Sequence, residues 1–301
     1  MLHLASCQYV IEQIETWDAY ERHLRDLCAG AVAQGAQVLL LPEYAGLVLS
    51  GQLEPAVRSD LHGSIFGIQP LIPRWLELCE AIAREHQIVL QPGSAPVLDP
   101  DGKYRNRAWL FGQDGLIGHQ DKIIMTRFER EQWGISGGLE DVQCFATPFG
   151  RFGILICYDN EFPMLSRRLS DQGAELILAP SCTDTLAGYY RVRIGAQARA
   201  LENQFAVLVS PTAGEALWSL ALDENSGRAA LYVPSDYGMP PSGIFAESES
   251  DTTTVSRWMH CSIDLEQVRR LREQGQVFTH RDWPEQFIDH DWPEQFNNRP
   301  D

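Results

Sequence analysis

Three times along this 301-residue chain a short strand-like run stops at a side chain able to do chemistry. Val38–Leu41 ends in Pro42 and Glu43. Leu116–Gln120 leads through Asp121 to Lys122. Phe152–Ile156 stops at Cys157, with Tyr158, Asp159 and Asn160 directly behind it. Short apolar runs bounded this abruptly predict strands buried on both faces, as in the covered sheets of α/β proteins. In such sheets the first groups past the strand stand at the carboxyl edge, where ligands are bound. Cys157 is accounted for equally well as a small core residue at a strand end, because free cysteine is often buried.

The remaining chain alternates strands and helices. Leu2–Val10 reads as a first strand, Ala19–Gln34 as an amphipathic helix closed by Gly35, and Pro70–His86 as a second helix. The turn Asp99-Pro100-Asp101-Gly102 separates two strands, and Asp114-Gly115 separates Arg107–Phe111 from Leu116–Gln120. Met164–Gln172 and Tyr189–Asn203 read as helices, and Leu176–Ala179 and Phe205–Ser210 as buried strands. Ala216–Leu222, Ala229–Val233 and Ser256–Ile263 are expected as late strands, with a final helix at Leu265–Glu273. Ser50–Gln69, Met125–Gly138 and Pro234–Thr254 are expected as loops. No Pro/Gly/Ser-rich linker divides the body, which favours one domain over residues 1–275. A C-terminal arm, 276–301, carries DWPEQF twice, at Asp282–Phe287 and Asp291–Phe296. Two tryptophans and two phenylalanines there predict an arm packed on the body or on a second subunit, and a local duplication without a role accounts for it as well.

Charge and cysteine usage remove several function classes. A formal net charge of −17 argues against a nucleic-acid or anionic-membrane surface, which needs a basic footprint. No apolar run is long enough to span a bilayer, and the N-terminus lacks a signal-peptide pattern, so a soluble cytoplasmic protein is expected. The seven cysteines are scattered singly with no CxxC pair, and the eight histidines show no metal-ligand spacing. His280 and His290 in the arm come nearest to a pattern. Neither a zinc ribbon nor a thioredoxin-type dithiol is indicated.

Glu43, Lys122 and Cys157 together form a sufficient set for acyl transfer from an amide. A carboxylate in a dry pocket can deprotonate a thiol, and a neighbouring cation can hold the oxyanion formed when the thiolate attacks a carbonyl. On spacing alone each is also explained as an ordinary exposed or ion-paired residue. The motifs around them narrow the choice. LLLPEY at Leu39–Tyr44, HQDK at His119–Lys122 and GILICYDNEFP at Gly153–Pro163 resemble the signature regions of the nitrilase superfamily of carbon–nitrogen hydrolases. LILAPS at Leu176–Ser181, ARALENQ at Ala198–Gln204 and SGRAALYVPSD at Ser226–Asp236 agree in family order.

That resemblance implies a four-layer αββα sandwich, pairing into homodimers or higher oligomers, with a small-molecule amide as substrate and no metal or organic cofactor. It implies Glu43 as general base, Cys157 as nucleophile, and Lys122 with the backbone N–H of Tyr158 as oxyanion holders. It also implies a second, substrate-positioning glutamate in the loop before the cysteine. Of the two candidates Glu131 is favoured, because it precedes Trp133 and the Gly-Ile-Ser-Gly-Gly segment, leaving Glu129 to pair with Arg127 or Arg130. Cys157-Tyr158-Asp159 resembles the amidase-type branches rather than the Cys-Trp-Glu of enzymes acting on nitriles. Asp159 and Asn160 are expected to cap the following helix. Cys182 is expected in the pocket wall or core, and Arg199 with Glu202 in an ion pair or subunit contact. A linear amide hydrolase releasing ammonia or an amine is the leading expectation. An N-carbamoyl amidohydrolase, a non-catalytic binding protein of the same fold and a redox-sensing Cys157 are the alternatives.

Overall fold

The computed structural model describes residues 1–287, which form two stacked sheets flanked by helices. The first sheet takes β1 (Leu2–Gln8), β2 (Val38–Leu40), β3 (Val89–Gln91), β4 (Ser94–Leu98), β5 (Tyr104–Gly112), β6 (Gly115–Asp121) and the short β7 (Ile135–Ser136). The second takes β8 (Cys144–Thr147), β9 (Gly150–Ile154), β10 (Leu176–Ser181) and β11 (Ala206–Pro211). A separate ribbon, β12 (Gly214–Glu215) with β13 (Glu224–Asn225), precedes β14 (Ala230–Tyr232) and β15 (Ile244–Glu247), which complete the second sheet. The chain then crosses back, and β16 (Arg257–Ile263) lies antiparallel to β1 along its whole length. At the centre of each sheet the strands are parallel: β1, β2 and β3 in the first, β9, β10 and β11 in the second.

Alternation along the strands explains the layering. In β2 and its flank, Val38 and Leu40 join the core between the sheets, whereas Leu39 and Leu41 face helices α1 (Trp17–Val32) and α4 (Ile72–His86). In β5, Ala108 and Leu110 point inward while Trp109 and Phe111 point to those helices. The second sheet is covered outside by α5 (Pro163–Asp171) and α6 (Leu186–Asn203), whose Leu165, Leu169, Val192, Ala196 and Ala200 are buried against it. Helix, sheet, sheet and helix follow in that order, the αββα sandwich that the resemblance implies. A period-two pattern buried on both sides of each sheet produces this outcome. Polar pins lock the sheets at one end: Ser6 Oγ donates to Val209 O and Ser210 Oγ to Cys7 O, both at 2.6 Å.

Four expectations change. Ser50–Gln69 is not a loop: it holds the end of a buried 3-10 segment (Ala45–Gln52), α2 (Pro55–Arg58) and α3 (Leu61–Gly67), the last capped by Asp60 accepting from the Gly63 N–H at 2.6 Å. Ala216–Leu222 is a turn rather than a strand, with Leu217 and Leu220 exposed while Ala216 and Leu222 are buried. Pro234–Thr254 contains β15, and Met125–Gly138 contains a π-turn at Glu129–Trp133 and β7. After α7 (Leu265–Gln274), α8 (Thr279–Asp282) leads into the first DWPEQF copy. There the Arg167 guanidinium sits 5.4 Å over the Trp283 ring and donates to His280 O at 3.0 Å. The second copy and His290 lie outside the described residues. No described helix is long and apolar enough to cross a membrane.

Candidate active site

The two sheets deliver their strand ends to one point. Glu43 follows β2 and Lys122 follows β6, both from the first sheet; Cys157 follows β9 and Cys182 follows β10, both from the second. The Glu43 turn depends on close backbone packing. Gly93 holds φ +89°, and a Cβ there would lie 2.2 Å from Pro42 O, so only glycine fits. Tyr44 takes a left-handed φ of 60°, with its N–H donating to Ser94 Oγ at 2.9 Å. Lys122 is aligned through its backbone N–H, which donates to Asn106 O at 2.9 Å.

Cys157 occupies a sharp elbow. Two residues past β9 the chain enters a 3-10 turn, Cys157–Glu161, with Cys157 itself at φ 47°. A non-glycine residue in this region is strained, and the surroundings must hold it there. Asn160 does so from inside the turn, donating through Nδ2 to Leu155 O at 3.0 Å and Cys157 O at 3.2 Å. From outside, α6 presses on the turn, and a Cβ at Gly195 would come within 2.8 Å of Asn160 O. Arg199, paired with Glu202 at 3.0 Å, also donates to Asn160 O at 3.2 Å. Asp159 does not cap the next helix as expected. Its buried carboxylate accepts from the N–H groups of Ile123 and Ile124, at 3.1 and 2.9 Å, joining the elbow to the residues just after Lys122.

The functional groups meet in a buried knot. Lys122 Nζ lies 2.8 Å from Glu43 Oε1 and 2.8 and 2.7 Å from the two oxygens of Glu129. Glu43 Oε1 also accepts from Asn106 Nδ2 at 2.8 Å, and its Oε2 accepts from the Cys182 N–H at 3.0 Å. The Cys157 thiol donates to Cys182 O at 3.4 Å, so one residue of β10's end touches both base and thiol through its backbone. Burial raises the Glu43 pKa, opposed by Lys122 and assisted by the negative charge of Glu129. Burial first, and then Glu43, push the Cys157 thiol well above its ordinary value. Lys122 is desolvated, yet the two carboxylates hold it firmly protonated. Burial opposes ionisation of Glu129, and Lys122 overrides it, so this carboxyl is held below the ordinary glutamate value. Asp159 is pushed up to about 7 by burial. Burial therefore favours the neutral thiol at Cys157.

Glu43, Lys122 and Cys157 are thus brought together, and of the two loop glutamates it is Glu129, not the expected Glu131, that lies with them. Glu131 is exposed and paired with Arg127 at 2.8 Å, whereas Glu129 is buried against Lys122 and accepts from the Tyr44 hydroxyl. The sequence held a signal for this. Thr126 and Glu129 are spaced as a capping box, and Thr126 N–H reaches Glu129 Oε2 at 2.8 Å while Glu129 N–H reaches Thr126 Oγ1 at 3.3 Å. This box starts the single π-turn Glu129–Trp133, which turns Glu129 inward and Glu131 outward. Asn106 was missed altogether; nothing local marks it, and only the pairing of β5 with β6 brings it beside Lys122.

Above the knot opens a cavity of about 370 Å³. Tyr44, Phe128, Trp133 and Tyr158 supply aromatic walls, and Cys182 lines it as expected. Trp133 is braced by Tyr44 and Phe128, with ring centroids 4.8 and 5.6 Å away, and donates to Leu61 O at 3.0 Å. The carbon-nitrogen hydrolase family model matches residues 3–245, spanning every strand end described above. The chain belongs to the carbon–nitrogen hydrolase family. Among relatives, it is 28% identical over 253 residues to the omega-amidase NIT2 of Xenopus tropicalis, covering 81% of this chain and 82% of that one. It is 39% identical over 185 residues to the probable hydrolase YhcX of Bacillus subtilis, covering 62% of this chain and only 35% of that longer protein. Two solved structures share the fold. The carbon-nitrogen hydrolase of Helicobacter pylori G27 superposes with TM-score 0.74 at 18% identity, covering 99% and 98% of the two chains. Saccharomyces cerevisiae Nit3 gives 0.68 at 22%, covering 98% and 97%.

Proposed function

We propose that this carbon–nitrogen hydrolase cleaves linear amides through a thioester on Cys157. The observation that carries the reading is the Cys182 backbone, whose N–H meets Glu43 and whose carbonyl, in the next peptide unit, meets the thiol, with Lys122 on the other side of the same carboxylate. Glu43 takes the thiol proton, and the thiolate forms a bond to the amide carbonyl carbon. The oxyanion is held by the Lys122 ammonium and the N–H of Tyr158. Glu43 returns the proton to the amide nitrogen as the C–N bond breaks, releasing ammonia or an amine. A water then gives a proton to Glu43 and attacks the thioester, and the acid leaves as the thiol is restored. Glu129 keeps Lys122 charged and in place throughout, and so is a positioning residue. The raised Glu43 pKa fits a base that must accept and return a proton twice per turnover.

Two variants test the scheme. Cys157→Ala should retain the fold and release no ammonia from an amide panel, and retained turnover would rule the scheme out. In Glu43→Gln, intact-mass measurement after incubation with an amide or its ester analogue should show one acyl group on the peptide carrying Cys157. An adduct elsewhere, or full turnover with none, would refute the thioester.

A further inference from the structure

Alternation along β5 puts Asn106 on the same face as Ala108 and Leu110, which point into the apolar layer between the sheets. An amide in that row is fully buried and costs the fold its hydration. Among the described residues its side chain makes a single hydrogen bond: Nδ2 donates to Glu43 Oε1 at 2.8 Å, while Oδ1 has no partner. That bond fixes which way the amide lies, because the reverse orientation would set two oxygens against each other. A residue present for stability alone would pair both ends of its amide or be apolar. The backbone of Asn106 also holds the cation, its carbonyl accepting from the Lys122 N–H at 2.9 Å. Base and cation are thus tied to one residue of one strand.

The donors on Glu43 divide unevenly. A carboxylate offers about four lone-pair sites, shared equally between its oxygens. Lys122 Nζ and Asn106 Nδ2, each at 2.8 Å, fill Oε1. Among the described residues Oε2 accepts only from the Cys182 N–H, at 3.0 Å, and keeps a site open beside the thiol that meets the carbonyl of the same residue. The geometry points to Asn106 as the positioning residue of the general base: it closes Oε1, so that the thiol proton is taken up, and handed to the departing nitrogen, on Oε2. This deepens the amidase mechanism proposed above and rests on it. Donation to a carboxylate also favours its ionised form, so Asn106 works with Lys122 against the burial that raises the Glu43 pKa. Asn106 does not line the cavity, so its side chain acts through Glu43 and not on substrate.

Two variants of the full chain test it: Asn106→Leu, which keeps the outline of the side chain, and Asn106→Ala, which adds no bulk should the first fail to fold. Each should lower kcat on a linear amide by about ten- to a hundredfold and leave KM within about twofold, because a hydrogen bond to a charged group is lost and no substrate contact goes with it. The acid limb of kcat/KM should move up by about one pH unit. The direction separates the roles. Losing a neutral donor raises the limb, losing a neighbouring carboxylate lowers it, and a merely structural loss leaves it in place. Circular dichroism and thermal unfolding confirm folding. In parallel, the rate at which methyl methanethiosulfonate labels Cys157, located by peptide mass, is followed against pH. This reads the thiol-to-Glu43 proton transfer without amide turnover, and its acid limb should rise by the same amount. An unmoved or lowered limb in a folded variant, by either measurement, overturns the inference, and the amidase reading stands if amides are still hydrolysed. A raised labelling limb in a protein that hydrolyses no amide would retire the amidase reading and leave the hold of Asn106 on Glu43 standing.

Discussion

Substituting Glu129 by glutamine removes one charge from a cluster in which every lone pair is already directed at a donor. Oε1 faces Lys122 Nζ at 2.8 Å and the Tyr44 hydroxyl, and Oε2 faces Lys122 Nζ at 2.7 Å, Thr126 N–H at 2.8 Å and Thr126 Oγ1 at 2.8 Å. Whichever way the amide is turned, its NH₂ points at two or more donors. Breaking a buried ion pair by removing one partner costs about 3–5 kcal/mol. Lys122 keeps Glu43, so the lower end applies, and about 3 kcal/mol expressed in the transition state is a loss of about 10²-fold in kcat/KM. The same change removes a charge that raises the Glu43 pKa, so the acid limb of the pH profile should move to lower pH. Steady-state kinetics from acid to neutral pH, with circular dichroism to confirm folding, reads both effects. Glu131→Gln is the matched control. It breaks a solvent-exposed pair with Arg127, a type worth under about 1 kcal/mol, and should stay within about twofold on a neutral amide. A Glu129→Gln enzyme within about threefold of wild type, or an equal loss in Glu131→Gln, would refute the assignment.

Two further outcomes follow from the site and its support. In the proposed mechanism Glu43 must be ionised to accept the thiol proton, and burial raises its pKa, so kcat/KM should fall as pH drops through a value above the ordinary glutamate pKa of about 4.3; an acid limb at or below that value would contradict the burial argument. Gly195→Ala places a Cβ 2.8 Å from Asn160 O, so thermal unfolding should show a loss of about 1–3 kcal/mol with reduced activity, and a fully stable, fully active variant would show that α6 does not brace the elbow.

The sequence carried the strand ends well because their signal is local. Val38–Leu41 and Phe152–Ile156 are buried on both faces, and a run that stops at Glu43 or Cys157 says where the sheet's edge lies. The segment 50–69 was harder, since its glycines and serines mask two short helices that are set by Pro55, by the Asp60 cap and by burial of Ile65 and Ile68. Ala216–Leu222 is apolar without alternation: its buried and exposed side chains fall irregularly in a turn at the cavity mouth, a pattern that composition alone confuses with a strand. Glu129 and Glu131 differ by two positions in one π-turn, and the Thr126 cap decides between them. Asp159 reads as a helix cap from its sequence neighbours, whereas its partners, Ile123 and Ile124, are more than thirty residues away.

Glu43 and Lys122 stand on one sheet and Cys157 on the other, and they meet where Ser6 and Ser210 pin the sheets together, Cys182 bridges the gap and Asp159 ties the elbow to Ile123 and Ile124. Neither half of the chain owns a partial site that could work slowly by itself. During folding, activity should therefore appear in a single late step, after each sheet has gained its own hydrogen bonds and as the two close face to face. Turnover in this protein doubles as a gauge of that closure, sensitive to slippage between layers too small to alter the content of either.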